Sequence, residues 1–327
     1  MTEKLELFVL EFITGGGLYN AELPVSLAQE GELMLQAMLG DLAEISNIHI
    51  STTRDVRLPG PSVNIASTSI AGDPWPLWQA KIEQADMVWL LAPESDGVLE
   101  QLSRMTPLHK NLGCSPETVS IATRKSTTAE CLAHQGINVA PVFTSLEKLS
   151  PPLLCKPDDG AGCTDTRRFD HKAEAADWLA KHPGHIVQPW LEGEPASISM
   201  LCRAGVAWLL SCNRQLVERD AQGLLHYRGS VLNGMAHHWE AFEAVAKQVA
   251  RALPGLAGYV GVDVMLQNGL VTVLEINPRL TTSYVGLRQA TGLNPARLVL
   301  DLLYNGTGVE RSINPHQLQR NIVEIRI

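Results

Sequence analysis

Apolar and polar residues alternate along the chain in patterns that predict a succession of strands and helices. Leu5 to Ile13 is an almost unbroken apolar run, which predicts a buried strand. Three glycines at positions 15–17 follow it, and apolar residues then recur at helical spacing from about Pro24 to Gly40. Further predicted elements are strands at His49–Thr52 and Met87–Ala92 and a helix at Trp78–Gln84. Together they predict an α/β domain over residues 1–110.

The rest of the chain predicts two lobes of α+β type, at residues 111–190 and 191–327. The first has helices near Lys125–Gln135 and Ala173–Lys181 and strands at Leu153–Lys156 and His185–Pro189. The second has strands at Ser197–Arg203 and Val206–Asn213, a polar loop to about Arg228, a helix at Trp239–Leu253, a hairpin at 261–279 and a helix that starts at Asn294-Pro295. A chain of 327 residues accommodates such lobes, and a cleft between them is the expected place for a site.

The predicted hairpin at 261–279 carries three side chains with oxygen ligands, Asp263, Glu275 and Asn277. Side chains alternate faces along a strand, so Glu275 and Asn277 share a face. Asp263 joins them only if the numbers of paired residues add up to an even value. That condition excludes a two-residue turn and predicts a three-residue loop, Gln267 to Gly269.

In this register Asp263 lies opposite Val273 and diagonal to Glu275. Val262, Val264 and Leu274 are predicted to fill the buried face. Carboxylate and amide oxygens suit Mg²⁺, with Mn²⁺ as an alternative ion, and substrate phosphates usually complete such a site. The hairpin therefore predicts a metal site beside a nucleotide triphosphate. The alternative is an ordinary hairpin with polar residues on its solvent face.

The charge and cysteine content narrow the class of protein. Lysine and arginine number 26 against 35 acidic residues, for a net charge of −9, which argues against a nucleic-acid partner. Six scattered cysteines without a CxxC pair indicate neither a zinc ribbon nor a disulfide framework. Neither a signal peptide nor an apolar stretch of roughly 18 to 20 residues is apparent, so no membrane partner is expected. These features predict a soluble cytoplasmic protein.

Two segments of the first lobe have residues suited to a nucleotide. Lys156 ends a strand and enters the loop Pro157–Thr164, whose glycines Gly160 and Gly162 let backbone N–H groups approach an anion. The alternative is a surface hairpin with an exposed lysine. The strand that ends in Gln188-Pro189 leaves into a polar segment where Glu192 or Glu194 would accept hydrogen bonds from ribose hydroxyls. A plain linker between lobes is the alternative there.

Taken in order, these residues resemble the ATP-grasp superfamily over roughly residues 112–300. The resemblance implies two α+β lobes that clamp ATP, and a reaction that phosphorylates a carboxylate before an amine or thiol attacks it. The implied contacts are Lys125 and Lys156 to the α- and β-phosphates, Gly160 and Gly162 over the γ-phosphate, Gln188, Pro189, Trp190 and Leu191 to adenine, and Asp263, Glu275 and Asn277 to one or two Mg²⁺ ions. Arg279 is implied to face the transferred phosphoryl group or the acceptor carboxylate, the alternative being a structural partner of an acidic loop.

The chain departs from the superfamily pattern at two places. Many members have Glu-Gly-x-Glu after the adenine segment, with the last Glu on the ribose, whereas Pro195 stands there in this chain. Glu192 or Glu194 must then take the ribose. The phosphate loop also carries Asp158, Asp159 and Asp165, which should repel a triphosphate unless they face solvent or metal.

Three stretches further resemble the family of ligases that join L-glutamate to tyramine in methanofuran biosynthesis. They are Glu11-Phe-Ile-Thr-Gly-Gly-Gly, Leu209-Leu-Ser-Cys-Asn-Arg-Gln and Asn277-Pro-Arg-Leu-Thr-Thr-Ser-Tyr-Val-Gly-Leu. The resemblance implies small-molecule carboxylate and amine substrates and leaves a homodimer open. Arg214 is a candidate for the α-carboxylate of glutamate, and the alternative pairs it with Glu218 or Asp220. Other candidate contacts are Asn213, Thr281, Thr282, Ser283 and Tyr284.

Other functions stay open from the sequence. An ATP-grasp ligase for another amino acid and a carboxylase that uses bicarbonate share the fold. A module that binds ATP without chemistry would fit the acidic loop and Pro195. A dinucleotide-dependent oxidoreductase built on the glycines at 15–17 is a further alternative, although the GxGxxG spacing is absent.

Overall fold

The N-terminal domain is a parallel sheet covered by helices. The computed structural model describes residues 4–160, 162–305, 313 and 318–327. The strands are β1 Leu5–Glu11, β2 Ile48–Asp55, β3 Ala66–Ile70 and β4 Met87–Leu91, and the helices are α1 Val25–Ala43, α2 Trp75–Gln84 and α3 Val98–Met105. The strand order is β3-β2-β1-β4, with every neighbouring pair parallel. Such a sheet is the α/β domain predicted from the alternating apolar runs.

The three glycines after β1 are used for packing. The chain makes a π-helical turn at Ile13–Gly17, and the buried carboxylate of Glu11 accepts hydrogen bonds from the backbone N–H groups of Ile13 and Thr14. A Cβ atom on Gly16 would come within 2.5 Å of Ile70, and one on Gly17 within 2.5 Å of Phe12. Side chains therefore fill the space beside these glycines, and nothing in their surroundings supports a dinucleotide site.

A three-stranded antiparallel sheet forms the small lobe, which we define as residues 143–189. Two helices precede it, α4 Pro116–Ala122 and α5 Lys125–His134. Its own elements are β5 Leu153–Pro157, β6 Arg167–Phe169, α6 Lys172–Lys181 and β7 His185–Pro189, with strand order β6-β5-β7. The small lobe buries a core of its own around Leu153, Phe169 and Val187.

A six-stranded sheet forms the remainder. Its elements are β8 Glu194–Arg203, β9 Val206–Arg219, β10 Leu225–Leu232, α7 Trp239–Ala252, β11 Gly258–Gln267, β12 Leu270–Asn277, α8 Tyr284–Thr291, α9 Pro295–Leu303 and β13 Val323–Arg326. The strand order is β12-β11-β8-β9-β10-β13. The helix predicted at Asn294-Pro295 is present, and the Asn294 side chain caps it by accepting from Arg297 N at 3.0 Å.

The polar loop predicted up to Arg228 is wrong, because this stretch forms two long strands. β9 continues to Arg219, and β10 returns from Leu225 antiparallel to it. The strands lack an apolar alternation here because one of their faces lines a polar cleft, described below. Polarity alone therefore did not distinguish a strand at the cleft from a loop.

The hairpin of β11 and β12 has a different turn from the predicted one. Gln267 pairs with Leu270 across a two-residue turn, in which Asn268 and Gly269 both have positive φ. A β-bulge between Asp263 and Val264 leaves one extra residue, Leu274, on β12. The predicted three-residue loop and the pairing of Asp263 with Val273 are therefore wrong.

The bulge nevertheless puts the three ligand residues on one face. Because of the extra residue, the numbers of paired residues beyond the bulge again add up to an even value. Asp263 pairs with Glu275 and Gly261 with Asn277. Val262 and Val264 are buried on the opposite face as predicted. Leu274 differs from the prediction: as the bulged residue it is half-buried and lines the cleft.

The N-terminal domain and the six-stranded sheet share two large apolar clusters. Leu39 of α1 and Trp89 of β4 are buried in the same cluster as Leu287 of α8 and Val299 of α9. The other large cluster joins β1 and α2 to α4, α5, α7 and the hairpin strands. Burial of apolar surface is the main force that holds such parts together, so we call this assembly the body. No described helix is long and apolar enough to cross a membrane.

Candidate functional site

A cleft of about 530 Å³ lies where the body and the small lobe face each other. All three predicted parts contribute to its walls: Ser95 from the N-terminal domain, Lys156 from the small lobe, and Glu275 from the hairpin. The cleft contains most of the site residues predicted from the sequence. Its position between lobes is typical of a small-molecule site.

Asp263, Glu275 and Asn277 meet at the floor of this cleft. They come together because β11 and β12 pair at these positions, and all three line the cleft. Gln215 of β9 donates a hydrogen bond from Nε2 to Oδ1 of Asp263 at 2.9 Å. The sequence prediction missed Gln215, because β9 was expected to end at Asn213.

Two buried lysines face Glu275. The Nζ atoms of Lys125 and Lys156 lie 3.4 and 3.7 Å from Oε2 of Glu275. Lys125 Nζ also donates to the backbone oxygen of Gly160 at 2.8 Å. Lys125 starts α5 in the body, whereas Lys156 lies on β5 in the small lobe, so Glu275 links the two sides of the cleft.

These charges shift one another's pKa values. Burial raises the pKa of Asp263 well above the ordinary carboxyl value, and the neighbouring Glu275 raises it further. Burial also acts to raise the pKa of Glu275, but Lys125 and Lys156 outweigh it and hold that pKa below its ordinary value. Burial lowers the pKa of Lys156, although Glu275 opposes this. The cleft floor therefore concentrates charge that is poorly solvated.

The chemistry of this donor set fits a hard divalent cation. Two adjacent carboxylates and an amide oxygen offer oxygen ligands, and a cation would relieve the repulsion that raises the pKa of Asp263. The described residues contain no cluster of three or more His, Cys, Asp or Glu side chains that could hold a metal alone. Such a set needs water or substrate oxygens to complete the coordination of Mg²⁺.

The glycine loop forms part of the cleft wall, and its acidic residues are largely engaged elsewhere. Gly160 and Gly162 both have positive φ and line the cleft. Asp158 accepts hydrogen bonds from the backbone N and the hydroxyl of Ser126, at the start of α5. Asp159 accepts from the backbone N of Asp96 at 3.1 Å. Asp158 thus stabilises a helix N-terminus, where a negative charge is favourable.

The predicted adenine segment lies along the cleft. Gln188 is buried and donates from Nε2 to the backbone oxygen of Ala140 at 3.2 Å, and Pro189, Trp190 and Leu191 follow it along the wall. Glu192 lines the cleft and accepts a hydrogen bond from Trp190 Nε1 at 2.9 Å. Glu194 is exposed at the start of β8 and does not line the cleft. Glu192 is therefore the better placed of the two glutamates.

Apolar side chains that the sequence prediction missed complete this end of the cleft. Leu154 projects from the small lobe, and Met265 and Leu274 project from the hairpin. All three are half-buried. An apolar slot between lobes suits the flat face of a purine. The bulge that turns Leu274 toward the cleft had no local signal in the sequence.

Arg279 is held by a buried ion pair across domains. Its Nη2 donates to Oε2 of Glu94 at 2.7 Å, and its Nη1 donates to the backbone oxygen of Leu280 at 2.7 Å. The side chains of Arg279 and Glu94 are 9% and 3% exposed. The Nε atom of Arg279 is buried without a hydrogen-bond partner among the described residues. Arg279 also lines the cleft. Its position agrees with both interpretations of the sequence, a residue that faces the substrate and a structural partner of an acidic residue.

The structure does not bring Arg214 to the cleft. Its neighbour Gln215 points to Asp263, and alternation along β9 directs the exposed Arg214 to the other side of the sheet. The alternative pairing is also wrong, since Glu218 pairs with Arg228 and Asp220 with His226, each at 2.9 Å. A contact with a substrate carboxylate is therefore better sought at Arg279.

The remaining candidates are divided between cleft and core. Thr281, Thr282 and Ser283 line the cleft. Asn213 is buried and donates to the hydroxyls of Ser197 and Ser199. Tyr284 is buried in the shared core, where its hydroxyl donates to Asp41 of α1 at 3.0 Å. Tyr284 therefore joins two domains and does not face the cleft.

Comparison with known proteins agrees with this geometry. The ATP-grasp domain family matches residues 122–283, and the pre ATP-grasp 3 domain family matches residues 48–119. The chain is 26% identical over 303 residues to a tyramine–L-glutamate ligase of Methanocaldococcus fervens, covering 88% of this chain and 94% of that protein. It is 30% identical over 212 residues to a tyramine–L-glutamate ligase of Methanocaldococcus jannaschii, covering 64% of this chain and 60% of that protein.

A solved structure shares the fold. An ATP-grasp superfamily protein from Archaeoglobus fulgidus superposes with a TM-score of 0.71 at 24% identity, covering 92% of this chain and 88% of that one. The family matches, the similar fold and the cleft between the small lobe and the body agree with one another. The predicted family and fold class are confirmed: the chain belongs to the ATP-grasp superfamily, with a pre-ATP-grasp domain ahead of the ATP-grasp domain.

Proposed function

We propose that this protein joins L-glutamate to tyramine or a tyrosine-like amine through an acyl phosphate, in the synthesis of a methanofuran-type cofactor. The family and the curated relatives support the coarser activity, an ATP-dependent ligase that forms a carbon–nitrogen bond and releases ADP. Both relatives are named for tyramine and L-glutamate, which supports the choice of these substrates.

The observation that carries the proposal is the convergence of opposite charges in one cleft. Lys125, Lys156 and Arg279 face a floor that holds Asp263 and Glu275. Phosphoryl transfer needs little covalent chemistry from a protein and much neutralisation of charge, which cations arranged in advance provide. A wholly structural network would have no reason to line an open cleft with buried lysines.

In this proposal each part of ATP contacts a different group of residues in the cleft. Lys125 and Lys156 contact the α- and β-phosphates, and Gly160 and Gly162 cover the γ-phosphate. Gln188, Pro189, Trp190 and Leu191 hold adenine, with Glu192 at the ribose. Asp263, Glu275 and Asn277 hold Mg²⁺, which when bound neutralises charge that develops on the phosphates.

The reaction then follows in two steps. An oxygen of the γ-carboxylate of glutamate attacks the γ-phosphorus, and the bond from that phosphorus to the bridging oxygen breaks, which releases ADP. The amine nitrogen attacks the carbonyl carbon of the acyl phosphate, and the carbon–oxygen bond breaks to release phosphate. Arg279 can stabilise either the carboxylate or the transferred phosphoryl group, because its buried Nε has no hydrogen-bond partner among the described residues and can donate to a substrate oxygen.

An ADP-release assay with L-glutamate and tyramine tests the proposal. We expect ADP only when both substrates and Mg²⁺ are present, with a product whose mass is that of the amide. Chelation by EDTA should abolish ADP release, and excess Mg²⁺ or Mn²⁺ should restore it. Panels of other amino acids and amines, and bicarbonate alone, serve as the substrate controls.

Three outcomes would contradict the proposal. ADP release with bicarbonate alone would indicate a carboxylase, and activity only with another amino acid would change the substrate. Tight ATP binding without ADP formation in any panel would indicate a binding module.

A further inference from the structure

A second cavity adjoins the ATP cleft. Its volume is about 1360 Å³, and it lies between α1 of the N-terminal domain and the β9–β10 end of the large sheet. Glu30, Tyr227 and Arg279 line both the cleft and this cavity. A molecule in the second cavity can therefore reach the end of the cleft where Arg279 lies. Among the proposed ATP contacts Gly162 also lines this cavity, and apart from Arg279 the rest of its lining has no role in that proposal.

The wall that α1 contributes to the cavity is apolar and open. Val25, Leu27 and Leu33 line the cavity, with 71%, 44% and 39% of their surfaces exposed. Large exposed apolar groups gathered at one cavity are typical of a surface that receives an apolar ligand. A substrate with an aromatic or long aliphatic body would cover them.

Most of the charged groups in the cavity already have partners. Glu11 accepts hydrogen bonds from its own turn, Glu32 forms an ion pair with Arg54, and Arg279 pairs with Glu94. Glu30 differs from them. Its Oε1 accepts a hydrogen bond from Thr282 Oγ1 at 2.7 Å, and among the described residues it has no ion-pair partner.

Glu30 also stands at the place where the two cavities meet. Of the two carboxylates that line both of them, Asp165 is exposed on the small lobe, whereas Glu30 is half-buried. Thr282, which fixes the Glu30 carboxylate, is three residues after Arg279 and is 4% exposed. The charge of Arg279 acts on Glu30 from nearby, but Arg279 forms its ion pair with Glu94. A half-buried carboxylate that forms no ion pair among the described residues, next to exposed apolar side chains, fits an ammonium group attached to an apolar body.

We propose that the second cavity takes the amine substrate, and that Glu30 binds its ammonium group and accepts a proton from it. The inference rests on the proposed ligase function and deepens it by assigning the amine's site. The class of amine is a primary amine with a large apolar or aromatic body, since Val25, Leu27 and Leu33 line the cavity with much of their apolar surface exposed.

The proton balance gives Glu30 a defined task. The ammonium loses one proton to the Glu30 carboxylate, which frees the nitrogen lone pair to attack the acyl carbon. The second proton leaves with the departing phosphate as the carbon–oxygen bond breaks. Without a base at this place the amine would stay charged and unreactive at neutral pH, and a positioned base contributes about 10²- to 10⁴-fold to such a step.

The test compares two nucleophiles with the same acyl phosphate. Tyramine needs to be bound and deprotonated, whereas hydroxylamine is small and mostly uncharged at neutral pH. In Glu30→Gln we expect the tyramine KM to rise about 10-fold or more, as for loss of a charged hydrogen bond, and kcat to fall about 100-fold. Formation of glutamyl hydroxamate with L-glutamate, ATP and hydroxylamine should stay within about twofold of wild type.

A matched control and a second variant complete the design. Glu83→Gln makes the same change on the exposed side of α2, away from both cavities, and should leave both reactions unchanged. Leu27→Asn makes the α1 wall polar, and should raise the KM for tyramine but not for methylamine. Glu30→Asp should keep part of the tyramine activity, because it retains the charge.

Calorimetry of tyramine binding gives a readout that does not need turnover. Tyramine should bind wild type and Glu83→Gln, and bind Glu30→Gln at least about tenfold more weakly. If Glu30→Gln kept wild-type kinetics and affinity for tyramine, or lost hydroxamate formation to the same extent, the assignment would be wrong. Absence of both amide and hydroxamate in wild type would instead overturn the proposed ligase function. If wild type forms both products, a negative result for Glu30→Gln concerns the Glu30 assignment alone.

Discussion

The small lobe and the body build the two sides of the cleft in different ways. The body buries two large apolar clusters, each of which joins the N-terminal domain to the rest of the body. The small lobe buries only a compact cluster, which consists of Leu149, Leu153, Cys155, Phe169, Ala175 and Val187. Because the burial of apolar surface largely determines local stability, we expect the small lobe to open at a lower free energy than the body.

Several links between the two regions are hydrogen bonds at the cleft edge. The backbone N of Lys125 donates to Asp158 O at 2.8 Å, and Leu225 N donates to Thr166 O at 2.9 Å. Arg168 N donates to Gly223 O at 2.9 Å. Asp263, Glu275 and Asn277 thus lie on the body, while the glycine loop lies on the small lobe, which hydrogen bonds attach to the body. This division places the acidic residues of the cleft on the body and Lys156, with the glycine loop, on the more lightly attached lobe.

The largest effect should come from removing the charge of Glu275, which faces lysines on both sides of the cleft. Glu275→Gln keeps the shape of the side chain but loses the charge that faces Lys125, Lys156 and the proposed metal. We expect ADP release with L-glutamate and tyramine to fall by about 10²- to 10³-fold. Gln267→Glu at the exposed end of the same hairpin is the control. If Glu275→Gln kept an activity within threefold of wild type, the proposed role of Glu275 in the reaction would be wrong.

A cavity in the shared core should destabilise the whole body. Leu287→Ala removes a fully buried side chain that packs between α1 and the large sheet. We expect the free energy of unfolding to fall by about 2–5 kcal/mol, as for other buried leucines. Denaturant unfolding measures it, with the exposed Leu270→Ala as the control. A loss confined to one domain would contradict a core that the two domains share.

The same truncation in the small lobe should act locally. Leu153→Ala removes a fully buried side chain of the small cluster. We expect faster amide hydrogen exchange within residues 143–189, by a factor that matches about 2–4 kcal/mol of lost local stability. Exchange in α8 and β11 should be unchanged. Equal acceleration in both regions would show that the small lobe does not open independently.

The smallest effect should come from removing the charge of Asp158, which links the glycine loop to the start of α5. Asp158→Asn keeps a hydrogen-bond acceptor for Ser126 but removes the charge at the helix N-terminus. That charge contributes about 0.3–1 kcal/mol, so the KM for ATP should rise about two- to fivefold while kcat stays nearly unchanged. Steady-state kinetics with varied ATP measure this. A lower KM for ATP would instead indicate that Asp158 repels the phosphates.

Much of the fold was predictable because it follows from local patterns. The bounds of β7, the cap at Asn294 and the helices α1 and α7 agree with the periodicity of apolar residues and with Asn-Pro chemistry. Lys125, Lys156, Gln188 and the hairpin residues do reach one cleft. Their roles toward ATP and Mg²⁺ remain predictions, and Glu275→Gln tests the role of Glu275.

The errors lie where a neighbouring element overrides the local pattern. The hairpin register depends on β8, which pairs with β11 from Gly258 to Leu266 and has Ser197 opposite Asp263 at the bulge. The polar part of β9 forms a strand because β10 pairs with it, and its alternation turns Gln215, not Arg214, to the cleft. A bulge moves every following side chain to the other face of the strand, and the local amino-acid composition does not predict where a bulge occurs.

Periodicity and residue chemistry therefore specify which segments form strands and helices, and which kinds of charge the site contains. The packing of distant segments specifies the rest. Glu94 meets Arg279 across 185 positions of sequence, and Thr282 meets Glu30 across 252. Such pairs form because a shared apolar core brings the domains together, and the free energy of that burial belongs to no single segment. The local patterns therefore determine which residue types line the cleft, whereas the cleft itself, the second cavity and the position of Glu30 follow from the packing of distant segments.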